Sequence, residues 1–187
     1  MARPANQPAP RLEDEIGMSG LFASPEQEAY LNLVRTEHVL VHQTLRLFRP
    51  HGLSEATYNI LRILRGHRRR AEREGRTWDG LSCAAIQADM LTPVPDLTRL
   101  LDRLCKEGFA DRQRSPEDRR VVLSRITEKG MRALAELDGP MLDLHQTQLG
   151  HLTKDELRRL TDLLTKARRP HVASSVDEKG ESEPDGF

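Results

Sequence analysis

Apolar residues recur at helical spacing along most of this chain. Val34, Val41 and Phe48 repeat every seven residues, with Leu31 and Leu45 three residues ahead of the first and last. The spacing predicts a helix that opens at Ser24 and closes at Pro50. Ser24 can cap it, Pro25 suits the first helical position and Gln27 completes a capping box. Its apolar residues form a narrow seam, which needs another helix to cover it. A second helix starts at Ser54, runs through Tyr58, Leu61 and Leu64, and breaks near Gly75. A short helix capped by Ser82 carries Ala85, Ile86 and Met90. Leu91-Thr92-Pro93-Val94-Pro95 is then a turn or a helix start, since proline is tolerated only in a first turn. The following helix bears Leu97, Leu100, Leu101 and Leu104 and ends at Gly108. Two short helices meeting across a tight turn outline a helix-turn-helix.

The periodicity then changes. Phe109–Arg114 and Val121–Ile126 read as two short strands, joined by the polar turn Ser115-Pro116-Glu117-Asp118-Arg119. A β-hairpin placed directly after a helix-turn-helix is a wing. Thr127 caps a helix bearing Met131, Leu134 and Leu137, which Gly139-Pro140 is expected to break or kink before it resumes through Leu142 and Leu149. Thr153 and Glu156 form a capping box for a last helix with Leu157, Leu160, Leu163 and Leu164. The expected organisation is a flexible N-terminal arm over 1–23, a dimerisation helix over 24–53 and a winged helix-turn-helix over 54–130. C-terminal helices follow over 131–170, and a disordered acidic tail over 171–187.

Composition fits a mainly α chain. Aromatic residues make up 4%, too few for a large β core, and 37% hydrophobic against 31% charged gives a lean core that burial against a second copy would complete. The net charge is zero, but its distribution is not flat. Arg62 to Arg76 holds seven arginines against Glu72 and Glu74, while the tail from Asp177 is acidic. No signal-peptide core and no membrane-length apolar run is present, so a cytoplasmic location away from membranes is expected, with Cys83 and Cys105 reduced. His38 and His42 lie four apart but lack the companion ligands a metal needs, and no nucleophile, base and acid converge. Neither a metal, a cofactor nor an enzymatic activity is therefore expected.

The chemistry that stands out is on the helix after Pro93 and on the wing. Opposite the leucines, that helix presents Pro95, Thr98, Arg99, Asp102 and Arg103. A major groove admits such a helix, with arginine donating to guanine and threonine touching a thymine methyl or a phosphate. The hairpin is crowded by Arg112, Arg114, Arg119 and Arg120. An arginine projecting from a wing suits a narrow minor groove, and Asp118 is close enough to orient Arg120 through a bidentate pair. Double-stranded DNA is the expected partner. A bland alternative is a solvated helix face with ordinary surface pairs.

Leu97-Thr98-Arg99-Leu100-Leu101-Asp102-Arg103-Leu104, Gly108, Pro116 to Leu123 and Ile126 to Gly130 together resemble the MarR family of multiple-antibiotic-resistance regulators, over roughly residues 24–168. The resemblance implies a winged helix-turn-helix homodimer on a pseudo-palindromic operator, acting most often as a repressor, in which the helices of 24–53 and 131–170 interlock as dimerisation helices. It implies that Thr98, Arg99 and Arg103 contact DNA from the recognition helix and that Asp118 and Arg120 form the wing pair. It also implies a small-molecule effector pocket between the dimerisation helices and the winged domain, for which His42, Arg46, Tyr58 and Trp78 are the candidate liners. The sequence departs from the pattern at Pro93 and Pro95, which stiffen the start of the recognition helix, and at the long basic stretch from Arg68 to Trp78. Two alternatives remain beside this reading: a winged-helix module that binds another protein, and a regulator that senses oxidants through Cys83 or Cys105.

Overall fold

The computed structural model describes residues 11–17, 20 and 22–177, with side chains described up to His171. It is mainly helical with one small antiparallel sheet. The chain divides into two compact units, Met1–Asp138 and Gly139–Phe187. No helix among the described residues is long and apolar enough to cross a membrane.

The first unit opens with α1 (Leu12–Ile16), inside the arm that was expected to be flexible. Leu12 is buried, Gly17 closes the helix at a φ of 65°, and Glu15 pairs with Arg35 at 3.2 Å. Leu21, expected to help order this arm, lies outside the described residues, and Phe22 is half-buried. Next comes α2 (Pro25–Phe48), capped by Ser24, whose hydroxyl accepts from the Gln27 amide at 3.2 Å. The Gln27 side chain reaches back one residue further than the usual box, to the Ala23 amide at 2.7 Å. A 3-10 turn over Arg49–His51 leads to α3 (Glu55–Arg73), whose capping box joins Ser54 and Thr57.

The helix-turn-helix is α4 (Cys83–Asp89) and α5 (Leu97–Lys106). The hydroxyl of Ser82 caps α4 and the carboxylate of Asp96 caps α5. Pro93 and Pro95 therefore stand outside α5, and Asp96 rather than a proline begins it. Aspartate is the better cap because its oxygen satisfies an amide that the first turn leaves free.

The wing is β2 (Ala110–Arg114) against β3 (Val122–Ile126), with Arg112 opposite Ser124. A third strand that the sequence did not signal, β1 (Leu81–Ser82), pairs with the other edge of β3. The sheet order is β1-β3-β2, so the expected two-stranded wing is three-stranded at its base. Gly80 permits the junction: its φ is 104°, and a Cβ there would stand 2.6 Å from the Ser124 carbonyl oxygen. The core of this unit is Ile60, Leu61 and Leu64 of α3, Ile86 of α4, and Leu101 and Leu104 of α5, all fully buried.

The helix α6 (Glu128–Leu149) begins in the first unit and continues into the second, and its backbone remains helical across Pro140. The expected break is absent because one proline removes one intrahelical bond while the flanking ladder persists. Leu134 and Leu137 of α6 are buried, and Asp138 receives a bidentate pair from buried Arg65 at 2.8 and 2.7 Å. In the second unit α7 (Lys154–Asp177) starts at the Thr153–Glu156 box and runs past the expected boundary at 170. Residues 178–187 of the expected acidic tail lie outside the described residues.

Candidate nucleic-acid interface

The leucines of α5 face the core, which turns Thr98, Arg99, Asp102, Arg103 and Lys106 outward. The Arg99 amide is used by the Asp96 cap at 3.1 Å, but its guanidinium makes no hydrogen bond or ion pair among the described residues. Arg103 is different. Its Nη2 donates to the Gly52 carbonyl at 3.0 Å and its Nε pairs with Glu107 at 2.9 Å. It straps α5 to the junction of α2 and α3. Thr98 is exposed, with its hydroxyl 3.9 Å from the Cys83 sulfur at the start of α4.

The hairpin turn is built by Ser115, which is buried. Its amide donates to the Val121 carbonyl at 2.8 Å and its hydroxyl accepts from the amides of Glu117 and Asp118. Asp118 accepts the Arg120 amide at 2.9 Å, while the Arg120 guanidinium comes no nearer than 4.0 Å. The expected bidentate pair is thus replaced by a backbone brace. With its carboxylate committed to the turn, Asp118 leaves the Arg120 side chain 94% exposed. Arg114 braces the same turn by donating to the Arg119 carbonyl at 2.8 Å. The Arg119 guanidinium is exposed and makes no ion pair among the described residues.

Arg112, expected on the DNA-facing surface, points inward instead. It pairs with Asp102 of α5 and donates to the Thr98 carbonyl at 3.3 Å. Pro95 sits exposed in the turn before α5. Of the arginines on α5 and the hairpin, those available to a ligand are therefore Arg99 on the helix and Arg119 and Arg120 at the wing tip. Ser115, Gly52 and the inward use of Asp102 were not visible as functional in the sequence. Only the i, i+4 spacing of Thr98 and Asp102 on one edge of α5 hinted at a shared partner.

No hydrogen bond or ring contact joins the four candidate pocket liners to one another. His42 and Arg46 are exposed on α2, with His42 stacked on His38 at 6.5 Å. Tyr58 stacks on Phe48 at 4.6 Å, and burial there pushes its phenol pKa up. Trp78 lies apart, over His67 at 6.3 Å, and His67 bonds Asp89 at 2.6 Å. Among the described residues no cluster of three metal-ligating side chains forms. Burial also raises the Cys105 thiol pKa, which disfavours the thiolate that oxidant sensing requires.

Comparison with known proteins agrees with this geometry. A profile described as MarR family matches residues 76–122, which span β1 to the start of β3. The multiple antibiotic resistance protein MarR of Salmonella typhimurium is 41% identical over 95 residues, 45% of this chain. That match spans 66% of the relative's own length, just short of two thirds. A solved MarR transcription factor from Planctomyces limnophilus is 37% identical with a TM-score of 0.57, covering 78% of this chain and 98% of that one. A mutant MarR from E. coli, solved in complex with operator DNA, is 26% identical with a TM-score of 0.60, covering 77% and 99%.

Proposed function

The chain belongs to the MarR family, and from that premise we propose that it is a homodimeric, sequence-specific DNA-binding regulator that represses genes by occupying a pseudo-palindromic operator. The observation that carries this reading is the disposition of exposed arginine: Arg99 unpaired on α5, and Arg119 with Arg120 on the hairpin tip. In this reading α5 enters the major groove and Arg99 donates to a guanine edge. The wing places Arg120 in the adjacent minor groove, where the phosphate walls concentrate negative potential. The relative solved on operator DNA supports the same use of the fold.

Two copies are needed to read two half-sites, and α2 supports such pairing. Tyr30, Leu33, Val34, Val39 and Leu45 stand exposed along it, apolar surface that a second copy would cover. Leu142 and Leu163 of the second unit are likewise exposed. The recognition helices of a dimer would then serve half-sites about one helical turn of DNA apart.

The test is binding of the purified protein to the DNA immediately upstream of its own coding region, at two salt concentrations, with a scrambled competitor. Tight, competitor-resistant binding that weakens steeply with salt is expected. Equal binding to both duplexes would remove the sequence-specific part of the proposal, and no binding to either would remove DNA as the partner.

A further inference from the structure

We infer that Arg112 is a positioning residue which locks the wing to the recognition helix, so that the two grooves of a half-site are read as one rigid unit. This rests on the DNA-binding reading above. The lock follows from where β2 runs. Position 112 lies opposite Ser124 in the middle of the hairpin, alongside α5 rather than at the tip. From there the guanidinium reaches two points one helical turn apart, the carboxylate of Asp102 and the carbonyl of Thr98. A helical carbonyl has a second lone pair beyond its own intrahelical bond, which this arginine uses. The Nε donor is buried without any partner. The group is thus spent largely within the fold, with the side chain only 25% exposed. Its planar fork fits two acceptors at fixed separation, which a lysine could not do.

The consequence is a fixed offset between Arg99 and Arg120. Arg99 sits beside Thr98 on the helix and Arg120 extends from the far end of the hairpin. When the helix seats in its groove, a locked wing arrives already aimed. An unlocked wing must be ordered at the moment of binding, and that cost offsets what the Arg120 contact contributes.

The experiment uses the full chain and the duplex that the wild-type protein selects from a randomised pool. Arg112→Gln and Asp102→Asn break the lock from opposite sides and are each combined with Arg120→Ala. In the wild-type background Arg120→Ala is expected to weaken binding about tenfold. In either lock variant the same change is expected to weaken it less than about twofold, while the Arg99→Ala penalty persists. The Arg112→Gln/Asp102→Asn pair is expected to be no worse than either alone, since both remove one interaction. Two results would overturn the proposal. One is an Arg120→Ala penalty that stays near tenfold in both variants. The other is an Asp102→Asn protein that binds as well as or better than wild type while Arg112→Gln weakens, which would make Arg112 a phosphate contact. Asp102→Asn changes an exposed side chain and retains its size, so it reports even if Arg112→Gln fails to fold. A wild-type protein that selects no duplex would sink the DNA-binding reading itself, a different failure from a wild type that binds with unaffected variants.

Discussion

Among the arginines on and beside α5, what separates a reader from a brace is the partner each has already taken. Arg103 is held by Gly52 and Glu107, Arg112 by Asp102 and Thr98, and Arg114 by the Arg119 carbonyl, whereas Arg99 is unpaired. Arg99→Ala is therefore expected to cost about 1–3 kcal/mol of operator affinity and to relax preference at one base position per half-site. Binding measured across single-base operator variants checks it, and equal losses on every sequence would show that Arg99 is not a reader. Which residues crowd the surface was legible in the sequence, because charge on a helix face opposite leucines needs only spacing to be seen. Which of them are free was not, because the partners are 10 residues away for Arg112 and 51 for Arg103. A second residue-scale expectation concerns Cys105. Its thiol, raised by burial, should alkylate with iodoacetamide several-fold more slowly at neutral pH than a cysteine in an unstructured peptide. A mass-spectrometric time course decides this, and labelling at the peptide rate would remove the burial argument.

The elements owe their ends to short-range chemistry, and this is why most of them could be read in advance. Ser24, Ser54, Ser82, Thr127 and Thr153 each stand where a helix begins, and each caps it through its hydroxyl. Thr127 serves two purposes: it accepts the Gly130 amide at 3.2 Å and donates to the Gly108 carbonyl at 2.7 Å, joining the start of α6 to the end of the α5 turn. Thr127→Ala should lower stability by about 1–2 kcal/mol. Urea unfolding at fixed protein concentration measures this, and a change below the error of the fit would show that water replaces both bonds. The elements that escaped the sequence had no local signature. β1 is two residues long, too short to alternate, and exists because Gly80 lets the backbone approach Ser124. Pro140 signalled a break or kink, yet a helix anchored upstream by buried Leu134 and Leu137 carries on through it.

For the whole molecule, a neutral total charge conceals a division of labour. Half of the arginines of α3 are matched by acids within the fold, Arg65 with Asp138, Arg68 with Glu72 and Glu128, and Arg70 with Glu74, which also pairs with Arg76 in the turn that follows. The long basic stretch that departs from the family pattern is in this respect partly self-neutralised, and on α5 and the hairpin Arg99 and Arg119 are left without an acidic partner among the described residues. Exposed apolar groups line α2. Val34→Glu would place a charge in each half of a pairing surface, and apparent dimer affinity should fall on the order of a hundredfold. Sedimentation velocity over a dilution series tests this, and an unchanged association state would move the pairing surface away from α2. The lock on the wing has one more consequence, for descent rather than for binding. Arg112 grips position 98 by its backbone carbonyl, which every amino acid possesses, so the side chain there can be exchanged without loosening the wing. A lineage of such proteins can thus change the letters it recognises at positions 98 and 99 while inheriting the frame that holds them, and new operators come within reach of single substitutions.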